Sequence, residues 1–210
     1  MNEFDIKAAA WDDNPMHIKR AEAVAEAILK NVKPEKTMTA LEFGAGTGLT
    51  SFILKDHLKE ITMIDSSAEM VRLANEKIRL SGAKHIKSLH FDLENKEWSG
   101  PLFDLIISQM VLHHINDTQL IIRKFHNMLN PGGFLAIADL YPEDGSFHGK
   151  EFNGHKGFDP EKLSILIGSS YFTILNIEKC FVINKTTTDN ESKQFDVFLL
   201  TAKKSLVPTI

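Results

Sequence analysis

The chain has 210 residues, 43% of them hydrophobic, 25% charged and 9% aromatic, values of a globular domain and not of a disordered tail, coiled coil or collagen-like repeat. Lys and Arg number 24 against 28 Asp and Glu, a formal charge of −4 that disfavours a broad nucleic-acid face. There is one cysteine, Cys180, so no internal disulfide forms and no zinc site can rest on thiolates.

One domain is expected at this length, and a chain this long buries roughly 70% of its unfolded surface without covalent staples. The opening MNEFDIKAAAWDD has acids where a signal peptide needs a basic start. No apolar run approaches the ~18 residues of a membrane span. A cytoplasmic protein of a reducing compartment, with no membrane partner, is expected. Asn14-Pro15 opens a helix with Asn14 as cap. Ala21, Val24, Ala25, Ile28 and Leu29 form its apolar stripe, Lys19, Arg20 and Glu22 fall on the solvated side, and Pro34 stops it. A strand over 38–43 runs into Gly44-Ala45-Gly46-Thr47-Gly48, and a helix follows to about His57. A second strand, 61–64, ends at Asp65. Ser66-Ser67-Ala68-Glu69 fits a capping box with Ser66 as cap, before a helix whose inner face carries Met70, Ala74 and Ile78 and which Ser81-Gly82 closes.

Strands are predicted next over 86–93 and, after Pro101, over 102–110. Asn116-Asp117 opens a helix with Ile121, Phe125 and Met128, ended by Asn130-Pro131-Gly132-Gly133, and 134–140 is a fifth strand. Residues 141–158 form a polar, glycine-bearing stretch predicted to be a mobile loop. Asp159-Pro160 starts a helix that stops near Gly168. Two long β-rich runs, about 171–184 and 195–201, are joined by the turn-like KTTTDNES, which argues for an antiparallel pair. Five strands separated by helices argue for a parallel sheet covered on both faces, an α/β fold.

The glycine run between the first strand and its helix carries the sharpest chemical signal. Glycines let backbone approach a ligand, and the helix start that follows offers unpaired N–H groups to a polar or anionic group. Asp65 ends the second strand 21 residues after Gly44. An acid there accepts hydrogen bonds from ribose hydroxyls in nucleotide-binding α/β sheets. Together these favour a nucleoside ligand over a plain tight turn. The dinucleotide fingerprint wants its third glycine at position 49, where Leu49 stands; the third glycine is Gly48, which argues against NAD.

Glu42-Phe43-Gly44-Ala45-Gly46-Thr47-Gly48 resembles the first motif of the class I S-adenosylmethionine-dependent methyltransferases, small-molecule type. Asp65 resembles that family's ribose-binding acid, and Phe91-Asp92-Leu93 its adenine-contacting motif. Phe103-Asp104-Leu105-Ile106-Ile107-Ser108 resembles the fourth-strand motif, and Leu129-Asn130-Pro131-Gly132-Gly133-Phe134-Leu135 the turn into the fifth strand. The likeness runs from about residue 38 to 204. It implies a Rossmann-like, doubly wound, seven-stranded sheet, mostly parallel with a C-terminal antiparallel hairpin. Within one domain, 1–34 would be a helical cap, 35–140 the cofactor-binding core, 141–158 an active-site loop and 159–210 the last helix and hairpin.

The resemblance also implies roles. Asp65, with Ser66 beside it, would hold the ribose, and Asp92 and the Leu93 backbone the adenine. Met70 is compatible with the adenine face or with plain core. Gly44, Ala45 and Gly46 would pass beneath the methionine part of S-adenosylmethionine, with Ser108 and Gln109 under the sulfonium. Glu42 would orient the loop from below or be a satisfied strand-end carboxylate. Trp11 resembles an aromatic element of small-molecule members that would gain from the sulfonium charge, or it pins the N-terminal helix. His113 and His114 are the preferred candidates for general base. Adjacent residues cannot both face one site on a regular element, and His148 and His155 lie in the loop. No compact His, Cys or acid spacing supports a metal, and none is expected. The fourth strand runs into Ser108-Gln109-Met110 and lacks the Asn/Asp-Pro-Pro-aromatic signature of amino-methylating DNA enzymes. A small-molecule acceptor is expected, methylated in line by proximity and orientation. A non-catalytic S-adenosylmethionine-binding regulator is the alternative reading, and a nicotinamide oxidoreductase a distant one. Neither the acceptor atom nor the oligomeric state is selected by the sequence.

Overall fold

A computed structural model describes residues 3–149, 151–187 and 191–206. After a short helix α1 (Glu3–Lys7), α2 (Pro15–Asn31) starts at Asn14, whose side chain accepts from Met16 N–H at 3.0 Å, with Pro15 in the first helical position. Then come β1 (Thr39–Phe43), α3 (Leu49–Leu54), β2 (Glu60–Asp65), α4 (Ala68–Ser81), β3 (Ile86–His90) and β4 (Phe103–Gln109). The chain continues through α5 (Thr118–Met128), β5 (Leu129–Leu140), α6 (Pro160–Gly168), β6 (Phe172–Thr186) and β7 (Ser192–Lys204). The predicted turn between the last two strands lies partly outside the described residues.

The seven strands form one sheet in the order β3-β2-β1-β4-β5-β7-β6. The first five run parallel, and β7 pairs antiparallel with both β5 and β6, as expected. Register brings the carboxyl ends level: Phe43 pairs with Ile64 and Ser108, Asp65 with His90, and Gln109 with Ala138. Strand order reverses between β1 and β4, and a crevice opens at such a switch point.

Alternate residues of each inner strand face opposite layers. Ala40, Met63, Leu105, Ile107 and Leu199 pack with Val24 and Ile28 of α2 and Leu54 of α3. Leu41, Ile64, Ile106, Ile137 and Phe198 pack on the other side with Ile121 and Phe125 of α5 and Leu163 of α6. Phe125 and Phe198 are fully buried, each contributing about 1.5–3 kcal/mol by leaving water.

Two local readings change. The cap of α4 is Ser67, not Ser66: its hydroxyl accepts from Met70 N–H at 3.2 Å, and Glu69 pairs with Arg72 instead of closing a box. The reason lies one residue back, where Asp65 Oδ1 accepts Ser67 N–H at 2.8 Å and so fixes the chain direction at the strand end. Strand β5 begins at Leu129, before the predicted glycine turn, because Leu129 pairs with Phe103 across a register irregularity. The loop after β5 is tied back along its described residues. Glu143 accepts from Gly145 and Phe147 N–H at 2.7 and 3.0 Å, Lys193 reaches Asp144 at 2.9 Å, and Lys185 donates to the Phe147 carbonyl.

Candidate active site

The cradle is made of backbone. Gly44 and Ala45 donate to the Ile64 carbonyl at 2.9 and 3.1 Å, drawing the loop onto β2. Gly44 and Gly46 sit at φ +63° and +56°, a region L side chains rarely adopt. A Cβ on Gly44 would lie 2.4 Å from Val111 Cγ2, so its close approach requires glycine. A Cβ on Gly46 would meet only Met70 Sδ at 3.7 Å and Trp11 Nε1 at 3.8 Å, because that side of the loop is open.

Asp65 holds this cradle with its carboxylate. Oδ2 accepts Gly46 N–H and Oδ1 accepts Ser67 N–H, each at 2.8 Å. Each oxygen keeps a second lone pair for a ligand. Burial raises the carboxyl above its ordinary range, and the two N–H donors act against that shift. Glu42 lies beneath, buried, accepting Ser51 N–H at 3.1 Å and the Ser51 hydroxyl. Burial pushes its carboxyl up to about 7. Thr47 in the loop donates to Asp12 at 2.5 Å, so the segment beside Trp11 also pins the cradle.

A cavity of about 720 Å³ opens over the sheet crest, within the span of small-molecule sites. Of the sequence-predicted residues, Trp11, Gly44, Gly46, Asp65, Ser66, Met70, Asp92, Leu93, Gln109, His113 and His114 line it. Glu42, Ala45 and Ser108 do not; the Ser108 hydroxyl is buried with no partner among the described residues. Asp92 also closes its own turn, accepting from Glu94 N–H at 3.1 Å and from the Asn95 side chain at 2.8 Å, the latter chiefly holding its carboxyl below the ordinary range. Lys124, unnoticed in the sequence, fixes that turn by donating to the Leu93, Glu94 and Lys96 carbonyls at 2.8, 3.2 and 3.0 Å.

At the opposite end of the cavity the work passes to side chains. Residues Leu112–His114 form a 3₁₀ turn, so His113 and His114 both line the cavity, against the expectation for adjacent residues on a regular element. His113 Nδ1–H donates to Asp139 Oδ1 at 2.6 Å, both groups being buried, and Asp139 also accepts His113 N–H at 3.2 Å and Leu140 N–H at 2.7 Å. The Nε2 atoms of His113 and His148 lie 3.0 Å apart, within hydrogen-bonding distance. Burial, and then the neighbouring His113 and His114, push His148 down to about 3, so its ring is neutral at neutral pH. His155 instead turns to the Ile115 carbonyl at 3.0 Å and is not part of the cavity wall.

Arg20 is buried at 6% exposure and lines the cavity, which corrects its solvated assignment. Its Nη1 meets Met16 Sδ at 3.8 Å, and its Nε has no partner among the described residues. Burial lowers it to about 10, and the nearby Asp139 opposes that shift. Neither Asp139 nor Arg20 was singled out as a site residue. Asp139 ends a strand whose pattern reads as apolar, and Arg20 shares a helix face with Val24 and Ala27, a spacing its charge concealed.

Residues 41–135 match the family described as a methyltransferase domain. An uncharacterized methyltransferase of Schizosaccharomyces pombe is 31% identical over 151 residues, 64% of this chain and 53% of that one. The chain spans about half the length of the curated relatives it matches. The fold is shared, at 21% identity and a TM-score of 0.72, with the N-methyltransferase NodS of Bradyrhizobium japonicum, solved with S-adenosyl-L-homocysteine and covered over 96% of each chain. It is shared also with the protein bound to the Trm112 methyltransferase activator of Haloferax volcanii, at 19% identity, a TM-score of 0.78 and coverage of 98% and 99%. Among the described residues no helix is long and apolar enough to cross a membrane. With a methyltransferase-domain match over residues 41–135 and a fold shared with these solved structures, the chain is similar to the S-adenosylmethionine-dependent methyltransferases.

Proposed function

We propose that the chain transfers a methyl group from S-adenosylmethionine to a small molecule that enters over the histidine end of the cavity. The observation that carries this reading is Asp65, turned inward onto Gly46 N–H with lone pairs to spare at the rim of an open 720 Å³ cavity. When bound, S-adenosylmethionine supplies a methyl group already activated on a sulfonium. Asp65 would accept from the ribose hydroxyls, and charge-assisted bonds of this kind contribute about 1.5–3 kcal/mol each. Gly46 leaves the backbone bare for the methionine part, and Trp11 offers a ring to positive charge. Arg20, buried at the cavity wall, would meet a carboxylate.

Residues of the other end would position the acceptor and move its proton. Asp139 fixes the His113 tautomer with Nδ1–H donated, which leaves Nε2 to take a proton from an acceptor hydroxyl, amine or thiol. Orientation of two reactants can remove about 7–11 kcal/mol of barrier. Calorimetric titration with S-adenosyl-L-homocysteine tests the cradle: binding is expected, and Asp65→Ala should weaken it about 10- to 150-fold. No binding at millimolar concentration would overturn the reading. Methyl-labelled cofactor with a metabolite extract then separates an enzyme, which labels a product, from a regulator, which binds and labels none.

A further inference from the structure

The histidine end carries more than a proton acceptor needs. His113 and His114 come from the 3₁₀ turn, and His148 comes from the loop after β5. One ring nitrogen from each lies within 4.8 Å of the other two, the one such cluster of three among the described residues. The rings are held from behind. Asp139 takes the Nδ1–H of His113 at 2.6 Å and is itself fixed by two backbone N–H groups. Phe152 stacks on His148 with centroids 4.0 Å apart, and Phe147 meets the same ring edge-on at 4.8 Å.

We propose that His113, His114 and His148 bind a divalent transition-metal ion, zinc fitting best, with Asp139 as the outer carboxylate behind His113. Three imidazoles with a fourth position left open is a zinc ligand set of catalytic type. Imidazoles without coordinating oxygens disfavour magnesium and calcium. A carboxylate on the far nitrogen of a ligating histidine orients the ring and raises its basicity, which is the arrangement of Asp139 and His113. The open position faces the cavity, since all three rings line it. Ligation takes the His113 Nε2 lone pair that otherwise accepts a proton, so the two states exclude each other. In the loaded protein an acceptor oxygen or nitrogen at the open position is polarised by the ion instead.

Metal uptake is independent of methyl transfer and is measured with no S-adenosylmethionine and no acceptor present. The full chain, free of any affinity tag and stripped with a chelator, is titrated with zinc by competition calorimetry and with cobalt(II) by visible absorption. One zinc per chain at micromolar affinity or tighter is expected, with cobalt bands of low-coordinate geometry. His148→Ala, a loop change that leaves the sheet intact, should abolish stoichiometric uptake. Asp139→Asn should keep the stoichiometry and weaken the affinity about 10- to 100-fold. His57→Ala, at an exposed residue outside the cavity, should change neither. No uptake by the parent chain overturns the proposal, and so does uptake that His148→Ala leaves unchanged. Loss of S-adenosyl-L-homocysteine binding alone would overturn the cofactor reading and leave this one standing.

Discussion

The two ends of the cavity are built from different materials. The cradle end is nearly contiguous in sequence, from Glu42 to Met70, and its working surface is bare backbone braced by carboxylates. The histidine end gathers Arg20, His113, His114, Asp139 and His148 from four separate segments, and its working surface is side chains. The first should fail on added bulk at its glycines and on loss of the carboxylate that braces them. The second should tolerate modest bulk and fail on lost charge or a lost ring nitrogen.

The largest effect belongs to the second end. Asp139→Ala removes the acceptor of one imidazole and two backbone N–H groups, and the anion opposite buried Arg20. Breaking a buried charged arrangement by deleting one partner costs about 3–5 kcal/mol. Urea unfolding measures it, and a cost below about 1 kcal/mol would mean that water replaces the carboxylate and the site is wetter than its burial implies.

At the cradle, Gly44→Ala and Gly46→Ala form a matched pair. Both put a side chain at positive φ, at about 1–2 kcal/mol. Gly44→Ala adds a clash with Val111, overpacking worth about 1–3 kcal/mol, for a sum of about 2–5. Gly46→Ala has space for its methyl group, so its stability loss stays near the φ cost while cofactor affinity falls. Equal stability losses would break the distinction between a packed and an open side of the loop. Gly44→Ala with Val111→Ala should recover the overpacking part.

This contrast also explains what the sequence made legible. The cradle is local, so glycine spacing, strand ends and the acid at 65 carried it, along with the mostly parallel sheet and the closing hairpin. The histidine end is not local. His113 and Asp139 meet because Gln109 pairs with Ala138 and brings the ends of β4 and β5 level. No spacing along the chain encodes that meeting, nor the approach of His148. The assumption that His113 and His114 diverge fails because a 3₁₀ turn interrupts the regular element. Arg20 was hidden by its own charge, and the cap moved from Ser66 to Ser67 because either serine satisfies the pattern and only the Asp65 carboxylate decides between them.

Glu42 tests the cradle's carboxylate brace through pH. Burial raises its carboxyl from 4.5 to about 7, so the folded chain holds the proton to higher pH than the unfolded chain does. Its contribution to stability is therefore greatest below about 4.5 and is lost as pH rises through about 7, a change of about 3 kcal/mol. Glu42→Gln removes the titration. Unfolding free energies of parent and variant, compared between pH about 4.5 and about 8, should diverge by about 3 kcal/mol in the variant's favour. A flat difference would mean that the two Ser51 donors hold the charged form as well as water does.

The smallest effect asks whether the brace depends on its own supports. The Ser67 hydroxyl accepts Met70 N–H at 3.2 Å and donates to Asp5 at 2.6 Å, so it links the N-terminal helix to the start of α4. Ser67→Ala removes both bonds and should lower stability by about 1 kcal/mol, the value of a helix cap, read as a fall in melting temperature. It leaves the Ser67 N–H, which is what Asp65 holds, and it leaves Gly46 N–H on the other carboxylate oxygen. Affinity for S-adenosyl-L-homocysteine should then change by less than about threefold, under 1 kcal/mol. A loss as large as that of Asp65→Ala would show that the carboxylate is aimed through the cap and the N-terminal helix, and the cradle would have to be counted, like the histidine end, as a site held by side chains from distant segments.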